Sequence, residues 1–132
     1  MNANRVIEKL KTKYPSKRII KNNKLNPTEI VCEIEPTKDH PDYSIAIAVI
    51  DKLIPHFHKK TLEEYEVLKG TLTLFIGSKK IILNEGEKYT IPLNTIHHAE
   101  GHETWIKTTS RPGWTKEDHL VPTTRSATCQ VV

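Results

Sequence analysis

From residue 28 onward, apolar and polar positions alternate in short runs, the period of strands rather than of helices. Residues 28–35 (TEIVCEIE) set Ile30, Cys32 and Ile34 against Glu29, Glu33 and Glu35, with Val31 as the one break, between Pro27 and Pro36. That pattern predicts a half-buried strand. Residues 43–51 (YSIAIAVID) are apolar on both faces, as in a strand inside a barrel or at a subunit contact. Past a polar bend at Lys59, Lys60 and Thr61, residues 62–68 predict a returning strand. Residues 71–76 and 79–83 predict a hairpin about Gly77 and Ser78, residues 84–94 a turn and a further strand, and residues 103–109 a closing strand. Short strands punctuated by turn signals indicate a sandwich or barrel. Ahead of them Val6, Ile7, Leu10 and Tyr14 recur at helical spacing after Asn4, the expected N-cap, until Pro15 stops the pattern. The expectation is an all-β domain with a short N-terminal α-helix packed on it.

Charge sharpens this division. The net charge is +4, but residues 1–24 hold eight Lys or Arg against one acid, Glu8, so the remainder is slightly acidic. The chain therefore divides into a basic helical segment (1–24), a β-barrel (25–120) and a polar tail (121–132). A solvated lysine-rich helix face explains the basicity. No aromatic-rich or glycine-rich basic tract and no helix-turn-helix segment points to nucleic acid, and no apolar run points to a membrane partner. With 132 residues in one domain and no apolar core of a secretory signal, a cytoplasmic protein is expected. Cys32 and Cys129 are too far apart for a metal knuckle and too few for a disulfide framework; Cys32 is expected to be a buried strand residue.

The candidate chemistry lies in residues 54–70 (IPHFHKKTLEEYEVLKG). In an extended strand His56 and His58 point the same way and Phe57 the other. On the returning strand Glu63, Tyr65 and Val67 share one face, which makes Glu63 the candidate third ligand. Imidazole nitrogens with a carboxylate oxygen suit a divalent transition metal, Zn, Mn, Fe, Co or Ni. Tyr65 is placed to donate a hydrogen bond or act as an acid. Trp105 and Lys107 share a face of the closing strand; if that face is inward, Lys107 offers a cation to a carboxylate or phosphate, and if outward both are surface. Trp114 is a candidate lid, core or interface residue. His40, His102 and His119 have no partner at metal-ligand spacing and are expected to be exposed, and His98 should face away from His97.

The spacing of His56, His58, Glu63 and Gly70 resembles the first conserved motif of the cupin superfamily, and Gly86, Pro92 and His97 fall in register with the second. Ile50, Asn94 and Gly101 depart from it, standing where Gly, Gly and Asn are usual; these positions belong to turns rather than to ligands. The resemblance covers residues 40–110. It implies a cupin-type double-stranded β-helix, a jelly-roll barrel, with His97 as the fourth metal ligand. It further implies a small-molecule ligand or substrate and a homodimer, in which residues 28–35 or 43–51 would supply the edge contact. Two functions follow: a metal-dependent enzyme acting on a sugar-like or carboxylate substrate, an isomerase or dioxygenase among the possibilities, or a non-catalytic metal-containing binding or sensor module. Tyr65 and Lys107 are the candidate catalytic residues.

Overall fold

A computed structural model of the chain describes residues 1–122. The N-terminal helix α1 (Ala3–Lys13) begins earlier than expected, because Asn2 rather than Asn4 is its cap: the Asn2 side-chain oxygen accepts the Arg5 backbone N–H at 3.1 Å. Val6 and Leu10, one turn apart, are buried, and Lys11 and Lys13 lie in the last turn, where cations complement the helix dipole. The helix stops where the Tyr14 N–H bonds back to the Leu10 carbonyl and Ser16 turns with φ of 69°.

Eight strands follow: β1 (Arg18–Lys21), β2 (Glu29–Glu35), β3 (Ser44–His56), β4 (Leu62–Lys69), β5 (Leu72–Ile76), β6 (Lys79–Leu83), β7 (Lys88–Ile91) and β8 (His97–Arg111). They run in the order β1-β2-β3-β8-β4-β7, with the β5–β6 hairpin joined through β8, and every pairing is antiparallel. Two differences from the sequence reading matter. The first strand begins at Arg18, inside the segment assigned to the basic helix. Strands β3 and β8 are also much longer than expected, because bulges after Ile50 and Leu53 let β3 bend without breaking its pairing to β8. That one ladder carries Ser44 opposite Ser110 at one end and His56 opposite His97 at the other.

The bent sheet has two apolar layers. Ala48, Ile50, Leu53, Tyr65, Val67, Leu72, Leu74 and Ile106 belong to the barrel interior, with Val31 packed against them. Val6 and Leu10 of α1 cover Ile30, Cys32, Ile47, Val49 and Trp105 on the outside. This accounts for the doubly apolar run in β3: Ala48 and Ile50 enter the barrel while Ile47 and Val49 lie under the helix. It also places the acidic, half-buried face of β2 toward the cavity and its apolar face under the helix. Strands β2 and β3 are each paired on both sides, so neither supplies the free edge expected for a dimer contact; the covering partners are β1 and β8. Cys32 is buried and free, and Cys129 and the tail after residue 122 lie outside the described residues.

Candidate metal centre

The four predicted ligands meet at one end of the barrel. His56 ends β3, His58 lies two residues on, Glu63 is the second residue of β4 and His97 opens β8. One ligand atom from each lies within 4.8 Å of all the others. From Glu63 Oε1 it is 3.2 Å to His58 Nε2, 3.6 Å to His97 Nε2 and 4.0 Å to His56 Nε2. Ligands each about 2 Å from a common ion lie roughly 3 to 4 Å apart. All four side chains are buried, with His97 fully enclosed.

The second nitrogen of each ring decides what the first can do. His56 Nδ1–H donates to the Ile54 carbonyl at 2.8 Å, His97 Nδ1–H to Thr95 at 2.9 Å, and His58 Nδ1–H to Asp118 at 2.8 Å. With Nδ1 protonated and held by a carbonyl, Nε2 is left as a lone pair aimed at the centre. Among the described residues, His58 Nε2 and His97 Nε2 are buried without a hydrogen-bond partner. Buried nitrogens are rarely left so, and a shared cation satisfies both. Burial, reinforced by His97 beside it, pushes His56 down to about 3, which keeps that imidazole neutral at any physiological pH. Burial pushes Glu63 up, but His58 and His97 outweigh this and hold the carboxyl well below the usual carboxylate range. Three imidazole nitrogens around a carboxylate are the donor chemistry of a divalent transition ion.

The centre faces a cavity of about 550 Å³ in the barrel, lined among others by His56, Glu63, Tyr65, Thr108, Trp114 and His119. Tyr65 O–H donates to Glu63 Oε1 at 3.3 Å, and burial raises its pKa well above 10, so the phenol stays a donor.

No protein-family model matches the chain. Over 47 residues it is 32% identical to quercetin 2,3-dioxygenase of Bacillus subtilis (strain 168); the match spans 36% of this chain and 14% of that protein. Among solved structures the fold recurs in Pac13 of Streptomyces, described as a unique nucleoside dehydratase, with a TM-score of 0.68 and 14% identity over 84% of this chain and 92% of that one. It recurs also in the iron(II) form of HppE, with a TM-score of 0.62 and 14% identity over 73% of this chain and 56% of the other. The barrel is a double-stranded β-helix with the ligand set at the positions the motif requires. The chain has the cupin fold.

Departures from the usual cupin motif have local reasons. Asn94 adopts φ of 58°, a left-handed conformation that Asn tolerates better than most residues with a side chain, so the turn ahead of His97 keeps its shape without Gly. At Gly101 a Cβ would collide with the Thr104 side chain and meet the Ile50 carbonyl at 3.0 Å, which excludes the customary Asn.

The cupin barrel brings in residues that sequence reasoning missed. The segment after β8 folds back over the cavity mouth: Trp114 N–H donates to Ser44 Oγ at 2.9 Å, Thr37 Oγ1–H donates to the Trp114 carbonyl at 2.6 Å, and Phe57 and Leu120 exchange backbone bonds of 2.9 and 3.0 Å. The Asp118 carboxylate accepts the backbone N–H groups of Lys59, Lys60 and Thr61 at 3.0 to 3.1 Å while its carbonyl holds His58. Asp118 thus fixes both the bend between two ligands and one ligand's ring. His119, expected to be exposed, stacks on His56 with centroids 4.3 Å apart and accepts from Trp114 Nε1–H at 3.3 Å. Nothing in the local spacing marks either residue, because each is brought there by chain reversal some sixty positions from His58. His98 does face away from His97, stacked on Phe75 outside the barrel. Lys107 also faces outward: Ile106 and Thr108 line the cavity, so the alternation puts Lys107 on the side of Trp105, which lies under α1. The cation expected in the site is therefore not there.

Proposed function

We propose that this cupin is a metal-dependent enzyme that binds a small polar, sugar-like or carboxylate-bearing molecule in the cavity beside a divalent transition ion held by His56, His58, Glu63 and His97. The observation that carries this reading is the opening of a buried three-histidine, one-carboxylate set into a cavity of substrate size rather than into protein. Such an ion, when bound, supplies Lewis acidity toward a substrate oxygen or, as iron, one-electron chemistry. The chain's own residues do the rest. Tyr65, protonated at all working pH, donates to Glu63 and so holds that carboxylate at the wall of the cavity. Trp114 and His119 add an aromatic wall to the cavity beside His56. A dioxygenase relative and a dehydratase of the same fold support an enzyme over a passive binder.

The decisive experiment measures metal in untagged protein purified without chelator, alongside a His56→Ala/His97→Ala variant. Near-stoichiometric metal in the parent, absent from the variant, is expected, together with turnover of a substrate from a panel of polyols, nucleosides and hydroxy acids that disappears on metal removal and returns with metal. Ligand binding without any product would favour the sensor module instead.

We also propose that the chain is a cytoplasmic homodimer. The buried free thiol of Cys32 fits a reducing compartment, and β1, paired on one side only, offers an edge for self-association. Light scattering of purified protein tests the dimer.

A further inference from the structure

Four inward positions of β2 line the cavity: Glu29, Val31, Glu33 and Glu35. The three carboxylates are not equivalent. Glu33 lies 3.7 Å from the Arg18 guanidinium, and Glu35 accepts the Tyr43 hydroxyl at 2.9 Å and His40 Nε2 at 3.0 Å. The Glu29 backbone N–H donates to Asn22 Oδ1 at 3.1 Å, but its carboxyl has no hydrogen-bond or ion-pair partner among the described residues. It shares the cavity with His56, Glu63 and Tyr65, and the surrounding wall is largely apolar, including Val31, Ala46, Ala48 and Leu53.

Glu29 is half-buried, and a carboxyl group set in a largely apolar wall with no donor beside it calls for an explanation. Strand β2 satisfies its other two acids with protein donors, so local chemistry does not account for the exception. Of the cations that line the cavity, Arg18 is 73% exposed and already engaged by Glu33, and Lys38 and Lys116 are exposed. A ligand bearing its own donor would complete Glu29; an anionic group placed there would meet a like charge with no buried cation beside it.

We propose that Glu29 receives the hydrogen-bond-donating end, a hydroxyl or a protonated amine, of the small molecule whose other end reaches the metal centre, and that it rejects a carboxylate or phosphate at that position. The inference rests on the cavity being the ligand site. It narrows the substrate class to molecules carrying a donor group, with any anionic function placed toward the metal. Burial, and then the charge of Glu63, raise Glu29 to about 7, so near neutrality it accepts a donor as carboxylate or gives a proton as acid. The other ionisable groups facing the cavity are Tyr65 and Glu63 of β4, His56 of β3, Arg18 of β1, Lys38 after β2, Lys116, Glu117 and His119 of the returning segment, and Glu33 and Glu35 of β2 itself.

The test uses three probes of one shape, benzylamine, benzyl alcohol and benzoate, titrated calorimetrically at pH 8 into metal-free and metal-loaded full-length protein, with Glu29→Gln and Glu33→Gln variants. In metal-free protein benzylamine is expected to bind at least about tenfold tighter than benzoate, a difference of about 1.4 kcal/mol. Glu29→Gln should erase that preference, and Glu33→Gln should keep it. Benzyl alcohol should lose little in Glu29→Gln, because the amide oxygen still accepts. Benzylamine binding unchanged by Glu29→Gln, benzoate preferred by the metal-free protein, or no probe binding at all would each overturn the proposal. A cooperative melting transition in each confirms that both variants fold. Loss of discrimination with metal-dependent turnover intact removes the Glu29 assignment alone; discrimination without turnover removes the enzyme alone.

Discussion

Glu29 makes a statement about stability as well as about ligands. Its folded-state pKa of about 7 lies above the ordinary 4.5, so the folded chain holds this proton more tightly than the unfolded chain does. Below the ordinary value both states are protonated and nothing is lost. As pH rises from there through 7 the unfolded chain ionises first, and the fold loses on the order of 3 kcal/mol from this group. Metal-free Glu29→Gln protein should therefore melt several degrees above the parent at pH 8 and alongside it near pH 4.5; equal melting at pH 8 would show that Glu29 is solvated. Gly101 acts in the opposite direction. Gly101→Ala drives a Cβ into Thr104 and should destabilise the fold by about 1–3 kcal/mol, read from denaturant midpoints.

At the scale of elements, the segment from Gly113 to Leu120 and the helix α1 are supports on two different faces. Removing the Asp118 carboxylate strips acceptors from three backbone N–H groups beside His58. Asp118→Ala should weaken metal affinity about 10- to 100-fold, as losses behind a ligand commonly do, while far-ultraviolet circular dichroism stays unchanged. Leu10, fully buried between α1 and the sheet, should cost about 2–4 kcal/mol as Leu10→Ala with metal affinity unaltered. If Leu10→Ala also released metal, the two faces would be coupled through β3. The ligand set was legible because parity is local: two residues apart on a strand means the same side, for His56 with His58 and for Glu63 with Tyr65. That β2 is half-buried was legible, but not that its apolar side meets a helix while its acids line the cavity. Val31, the one break in the alternation, was the trace of the inner layer. Strand β1 was hidden among basic residues, and Lys107 needed a parity that only the β3–β8 register supplies.

For the molecule as a whole, what could not be read were encounters between distant segments: Asp118 with the bend at 59–61, His119 over His56, and α1 on β2, β3 and β8. Alternation along a chain carries no record of which strand will lie beside it, and motif spacing recovers only the part of the centre held within two short stretches. The rings of the centre have a consequence for assembly. Each histidine is oriented by a backbone carbonyl, Ile54, Thr95 or Asp118, none of which belongs to the ion's own shell. The receptacle is thus formed by folding alone, and the ion enters a finished mould. A chelator should empty the protein without unfolding it, and different divalent ions should be exchangeable in the same refilled scaffold. The metal found in the cell would then reflect supply at least as much as the protein's own preference.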